Sequence, residues 1–386
     1  MNLKNIEKIN IWDLGDRINV KINQEFIDYI NNQIKHKFQT KRNIHKELIK
    51  YHEISFSVFK NRMKRDYTYF IDLEIIVNLC KILGIDLQTM QENIVAYKSR
   101  GGYNYIENPR LPIKITPIFD MLIAHHIGDG NVVDPKRNRK PYFGYRQYDR
   151  HYMAIYIKKI ESVFGNIRYK EPYKDKTRSY FPTAVSYLLF KTYNLNTKSF
   201  LSKSARVPRE IFKKEWKFLL AFLLGIIIDD GHVDSTMIVV GIKNKELAKD
   251  LIKICNILGY ESKYTERTKN DYREYGYVNI LKKGMMKLWS DYIELLREYP
   301  EVNLGHKGEK IKEFIDRLKK PKIYIKGNKD IILKELFKEN LTVNELAKKL
   351  NMTRQGARYL IKELIKEEKV EFKSLIKNGN YRYGLR

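Results

Sequence analysis

The chain has 386 residues, 43 % of them hydrophobic, enough for two or three globular domains. Lys plus Arg number 74 against 46 Asp plus Glu, a formal net charge of +28 that is spread along the sequence; such a field attracts polyanions, nucleic acid foremost, and no basic amphipathic helix stands out to favour a membrane surface. Two distant cysteines argue against a disulfide framework, and neither a signal core nor an apolar run long enough to span a bilayer is seen, so a soluble cytoplasmic protein is expected.

Residues 1–105 read as a helical domain. Apolar residues recur at three and four spacing through "IHKELIKYHEISFSVFKNRMKRD" and "DLEIIVNLCKILGID", the period of amphipathic helices. The order is a helix, a short turn at "HEIS", a basic helix opened by a capping serine, and a helix ending at Gly84. This pattern suits a helix-turn-helix whose second helix carries Lys60, Arg62, Lys64 and Arg65, and suits equally a small bundle with a solvated basic face. "SRGGYNYIENPRLPIKITP", with its glycines and Pro109, Pro112 and Pro117, then reads as a linker.

The next two hundred residues repeat themselves. One unit, 115–210, contains "IFDMLIAHHIGDGNVVD"; the other, 211–320, contains "FLLAFLLGIIIDDGHVD", with Asp129 and Asp230 standing 101 residues apart. After each motif come a polar strand, a helix ("HYMAIYIKKIESVFG", "NKELAKDLIKICNILG"), a strand ("NIRYKEPY", "YESKYTER"), an alternating strand ("SYFPTAV", "GYVNILK") and a further helix. Repeated order of this kind is stronger evidence than either motif alone.

Residues 326–386 read as three helices and a hairpin turning at Asn378 and Gly379, together a winged helix. Arg354, Gln355 and Arg358 fall on the exposed start of its third helix. A protein-binding helical cap is the alternative.

The end of the second motif poses a physical problem. A glycine such as Gly231 can stop a helix in the left-handed conformation, but two carboxylates beside the negative end of a helix dipole are disfavoured. Something positive belongs there, or the site is strained for a purpose.

The paired motifs, "LIAHHIGDG" at 122–130 and "LLGIIIDDG" at 223–231, resemble the signature of the LAGLIDADG homing endonuclease family, and the likeness extends over roughly half the chain. His125 and His126 stand at positions the family keeps apolar, and Ile127 and Ile228 replace the signature's first aspartate. The resemblance implies an α+β fold of tandem pseudo-two-fold αββαββα units, here flanked by a helical domain and a winged helix. It implies a monomer acting on double-stranded DNA, and catalytic acids at Asp129 and Asp230. Ala124 and Gly128, like Ala221 and Gly225, are four apart and would let the motif helices pack closely. The two acids would then meet, with Mg²⁺ relieving their repulsion and Gly128 and Asp229 as further ligands. Lys203 and Lys307, 74 residues after Asp129 and 77 after Asp230, fall where the family places a basic residue near each acid. Each unit would lay a sheet on DNA, offering Arg137, Arg139, Lys140, Arg146 and Gln147 from the first and Lys263, Arg267, Lys269 and Arg273 from the second. The expected function is site-specific, metal-dependent double-strand cleavage. The alternatives are a non-cleaving DNA-binding regulator on the same fold and an RNA-splicing maturase.

Overall fold

Two apolar helices, Pro117–Ile127 and Trp216–Asp230, form the axis about which the larger part of the molecule is built. The computed structural model describes residues 7–14, 17–64, 70–132, 143–168, 178–234, 236–266, 276–319, 328–376 and 380–386. These fall into two units, 1–317 and 318–386. Every residue of the first axial helix is buried, as are Leu219 to Ile227 of the second; a helix without a polar face is stable only when surrounded. The pair touch at the expected small residues: a methyl group added to Gly225 would stand 2.7 Å from the Ala124 Cβ and 2.9 Å from the Met121 carbonyl oxygen.

Each axial helix passes through the glycine of its motif into a strand. Gly130–Val132 pairs antiparallel with Phe143–Arg146, which pairs with Arg178–Tyr180. In the second unit the antiparallel order is Gly231–Val233, Ile238–Ile242, Gly276–Ile280, Ser262–Glu266. Ile238, Val240 and Ile242 alternate inward and are buried, the period of two that a half-covered sheet demands. Helices Arg150–Phe164 and Lys245–Leu258 end at Gly165 and Gly259 as expected. The strand expected over "SYFPTAV" stops at Tyr180, and a helix runs from Thr183 to Thr192: Pro182, which has no amide proton, cannot continue a ladder.

The sheets of the two units differ by one strand. The second unit's Ser262–Glu266 stays in its own sheet, whereas its counterpart Asn166–Arg168 leaves the first unit and pairs with Tyr105–Glu107. Gly165, at φ +110°, makes the turn; a side chain there would sit 2.7 Å from the Asn108 carbonyl oxygen. Ile106 and Ile167, paired across this ladder, are both buried.

Two expectations about the N-terminal region are thereby corrected. It is not all helical: Ile18–Ile22, Ile71–Asp72 and Ile94–Ser99 build a sheet that Tyr105–Glu107 and Asn166–Arg168 extend to five strands. Ile18, Val20 and Ile22 bury one face of it, an alternation readable in "INVKI". Nor is "SRGGYNYIENPRLPIKITP" a linker, because it supplies that sheet strand and Ile113–Lys114, which pairs with Lys8–Ile9. The turn-flanked helices are present: Lys41–Leu48, then Phe56–Arg62 capped by Ser55. Lys60 and Lys64 are exposed, while Arg62 is bound to the nearly buried Asp72 at 2.9 Å. Arg65 lies outside the described residues.

In residues 318–386 the helices Asn328–Lys338, Val343–Lys349 and Arg354–Lys366 close over Ile332, Leu336, Leu346, Ile361, Leu364 and Val370. Strands Val370–Ile376 and Asn380–Leu385 form the hairpin, with Leu341–Thr342 as a third strand. Thr342 and Glu345 make a capping box, and Thr353 caps the third helix. The turn at 378–379 is outside the described residues. Cys80 and Cys255 are buried free thiols. No described helix is long and apolar enough to cross a membrane.

Candidate active site

The ends of the axial helices gather three aspartates and one lysine. Asp230 closes the second helix and Asp129 follows Gly128, the cap of the first; both are exposed. Walls around them strip part of their hydration, which raises each carboxyl, and nearby charge adds to it. Asp129 is pushed up to about 6 by this desolvation and by the charge of Asp229, against Lys307 and Arg146. Asp230 is pushed up to about 7 by desolvation, Asp229 and Asp129, against Lys307 and Lys243. Mutual repulsion of carboxylates at two helix C-termini adds to the desolvation.

Lys307 is the positive group that such an end requires. It stands in the first turn of helix His306–Lys319, and its Nζ donates to the Ile227 carbonyl at 2.9 Å and to that of Ile228 at 2.5 Å. One ammonium thus caps the last turn of the second axial helix. Burial lowers its pKa, and the attraction of Asp229, Asp129 and Asp230 opposes that fall. Gly231 does not stop the helix in the left-handed conformation: it is extended, at φ −85° and ψ 150°. It is glycine because a Cβ would stand 2.4 Å from the Ile227 carbonyl oxygen.

Asp229, expected as a metal ligand beside Asp230, points the other way. Its side chain is 0 % exposed. Tyr145 donates to it at 2.6 Å, the His125 Nδ1 lies 3.0 and 3.1 Å from its two oxygens, and the Asp129 amide donates to it at 3.3 Å. Its oxygens are therefore occupied within the protein, and burial raises its pKa. Below it, Lys159, 1 % exposed, lies 3.0 Å from the other nitrogen of His125. Burial pushes Lys159 down while the Asp229 charge holds it up. His126 receives the Tyr156 hydroxyl at 2.9 Å, and the rings of Tyr156 and Tyr145 stack at 3.8 Å. The two histidines at otherwise apolar motif positions are thus buried members of a polar network. The sequence marks them as unusual, but their hydrogen-bond partners come from 30 to 104 residues away and carry no local signal.

The remaining candidates divide. Lys203 is exposed in a turn, and the cations that act on Asp129 are Lys307 and Arg146, so the structure does not bring Lys203 to the acids. Arg146 instead approaches Asp129 from the adjoining strand and lies over the Tyr148 ring at 4.9 Å. Lys243, not anticipated from the sequence, serves Asp230. Gln147 turns its oxygen onto the amides of Tyr148 and Asp149 at 3.0 and 3.4 Å, the role of a turn residue. Lys263 is exposed on the edge strand of the second sheet, and Arg354, Gln355 and Arg358 are exposed on their helix. Arg137, Arg139, Lys140, Arg267, Lys269 and Arg273 lie outside the described residues.

The donor set suits a cation that shares its shell with substrate. Among the described residues no three or more His, Cys, Asp and Glu are placed to hold a metal by themselves. Two exposed, mutually repelling carboxylates fit Mg²⁺, which is commonly held by one or two carboxylates and completes its octahedron with water and phosphate oxygens.

Residues 206–284 match the family model of homing endonucleases. Solved structures similar to the chain include mesophilic variants of the homing endonuclease I-DmoI, 18 % identical, with 45 % of this chain and 88 % of that one covered and a TM-score of 0.33. I-DmoI in complex with DNA and Ca is 16 % identical over 51 % of this chain and 97 % of that one, with a TM-score of 0.33. Full-length DUF199/WhiA from Thermatoga maritima is 14 % identical over 65 % and 90 %, again at 0.33. No curated protein matches the chain.

Proposed function

We propose, from the match of residues 206–284 to the homing endonuclease family and the convergence of Asp129, Asp230 and Lys307, that the chain is a site-specific DNA endonuclease making metal-dependent double-strand breaks. The carrying observation is that two exposed carboxylates from paired helix ends face one shared lysine, so that all three act electrostatically on one another. In this reading the units 115–210 and 211–320 are pseudo-two-fold halves of one active monomer. Residues 1–105 and the winged helix of 326–386 would each add DNA contacts of their own.

Asp129 and Asp230, with the Gly128 carbonyl, would hold Mg²⁺. When bound, Mg²⁺ supplies a water of lowered pKa and charge for the departing oxygen. The protein's own part is orientation and charge. Lys307, anchored on two carbonyls, keeps an ammonium within the field of both acids and stabilises the negative charge that grows on a phosphodiester in its transition state. Arg146 and Lys243 flank the two acids and suit the phosphates on either side of the scissile bonds. Lys263 on its sheet, and Arg354 and Arg358 on their own helix, present exposed cations suited to phosphates and base edges.

The test is incubation of the protein with genomic DNA and Mg²⁺ followed by capture and sequencing of the ends. Recurrent double-strand ends at one sequence, absent in chelator, are expected. The regulator reading is favoured by the turn-flanked helices found near both ends of the chain. It predicts tight, sequence-dependent binding of duplex DNA with no ends at all, and that result would overturn the nuclease assignment.

A further inference from the structure

Beneath the exposed acids, side chains from three helices and a strand form a buried chain with one sense. Lys159 lies on helix Arg150–Phe164, His125 on the first axial helix, Asp229 on the second and Tyr145 on strand Phe143–Arg146. A lysine ammonium only donates. Its 3.0 Å contact with the His125 Nε2 therefore leaves the ring proton on Nδ1, which donates to the two Asp229 oxygens at 3.0 and 3.1 Å. Tyr145 completes the shell of the carboxylate at 2.6 Å. Buried charges persist where they are paired and hydrogen-bonded, and here the pairing runs through a neutral ring. None of these four groups takes part in the chemistry described above.

Asp229 is tied to both acids by different means. The peptide bond joins it to Asp230, and its carboxylate accepts the backbone amide of Asp129 at 3.3 Å. It also fills the space over Gly128, where an added methyl would stand 2.7 Å from the Asp229 Cβ. Displacing Asp229 therefore displaces both helix ends.

We propose that Lys159, His125 and Asp229 are positioning residues, a buried relay that sets the separation of the Asp129 and Asp230 carboxylates and thereby the site's hold on a divalent cation. This rests on the reading of Asp129 and Asp230 as the metal-holding pair. Supporting groups of this kind typically change metal affinity by about 10- to 100-fold.

The experiment uses the full chain and the variants Lys159→Met, Asp229→Asn and the double variant Lys159→Met/Asp229→Asn. Urea unfolding is followed without metal, and Mn²⁺ uptake by the protein on duplex DNA is read from the electron paramagnetic resonance of free Mn²⁺. Each single variant is expected to weaken Mn²⁺ uptake by about 10- to 100-fold. The double variant, with both buried charges gone, should be destabilised by less than the sum of the singles yet still bind Mn²⁺ weakly. A purely structural pair would change the unfolding and leave Mn²⁺ affinity at the wild-type value, which overturns the proposal. Additive destabilisation in the double variant overturns the relay itself. Failure of the wild type to take up Mn²⁺ removes the metal reading of the acids and this proposal with it, an outcome distinct from normal Mn²⁺ uptake by all four proteins.

Discussion

Asp129 and Asp230 are the residues whose replacement is most informative. Asp→Asn keeps shape and hydrogen-bonding capacity but removes the charge that, in the proposed function, would hold a cation. Asp129→Asn and Asp230→Asn should each abolish double-strand cleavage, with some nicking of one strand left. Binding to duplex in metal-free buffer should be unchanged or tighter, because a negative charge near phosphate has gone. Undiminished cleavage by both variants would refute the assignment. Stability supplies a second readout. The folded Asp230 carboxyl titrates at about 7, well above the value of about 3.9 in an unfolded chain. The folded state therefore binds the proton more tightly, and ionisation costs stability as pH rises from about 4 towards 7. Asp230→Asn lacks this cost, so its advantage over the wild type in metal-free thermal unfolding should be absent below pH 4 and grow to a plateau above pH 7. Exposure to solvent limits that advantage to on the order of 1 kcal/mol.

At the scale of elements, the contact between the axial helices decides where the acids meet. Alanine is a better helix former than glycine by about 1 kcal/mol, so Gly225→Ala on an uncrowded helix would stabilise the protein. Here the new methyl would stand 2.7 Å from the Ala124 Cβ and 2.9 Å from a backbone oxygen, and overpacking of this kind costs about 1–3 kcal/mol. The expected outcome is net destabilisation in urea denaturation; a gain would show that the helices are free to part. The third helix of residues 318–386 carries a different prediction. Arg354 and Arg358 are one turn apart and exposed, so they share a face. Arg354→Ala/Arg358→Ala should weaken binding of duplex DNA while leaving Mn²⁺ uptake at Asp129 and Asp230 unchanged. Equal DNA affinity, measured by fluorescence anisotropy, would assign this helix to another partner.

For the whole molecule, if the chain binds duplex DNA as proposed, a net charge of +28 makes counterion release a large part of the affinity. If about 6–10 phosphates are contacted, the binding constant for duplex should fall by about 10³ to 10⁵ between 50 and 200 mM salt. A flat response in a titration series would exclude an extended phosphate interface. The continuous ladder from Ile94–Ser99 through Tyr105–Glu107 to Asn166–Arg168 joins the N-terminal region to the first motif unit through paired backbone, so the two cannot separate without breaking a sheet.

Local pattern in the sequence determined much of this protein. The doubled motif, the small residues at 124 and 225, the glycines that end Arg150–Phe164 and Lys245–Leu258, and the three helices and hairpin of the C-terminal unit all follow from period, spacing and capping chemistry. The opposition of like charges at a helix end also called for a cation, read from the sequence as a bound metal, while the family resemblance pointed to Lys203 and Lys307 as basic residues near the acids. Tertiary structure decided between them: Lys307 reaches the carbonyls of Ile227 and Ile228, while Lys203 stays in solvent. It also turned Asp229 inward onto His125 and Tyr145, and sent Asn166–Arg168 out of its own unit to a sheet beginning near residue 18. The division has one physical reason. Helix and strand periods are set by covalently near neighbours and leave a trace in order and spacing. The partner of a buried polar group or an unpaired strand edge is set by what the folded chain brings within about 3 Å, and identical local sequence is compatible with many such partners.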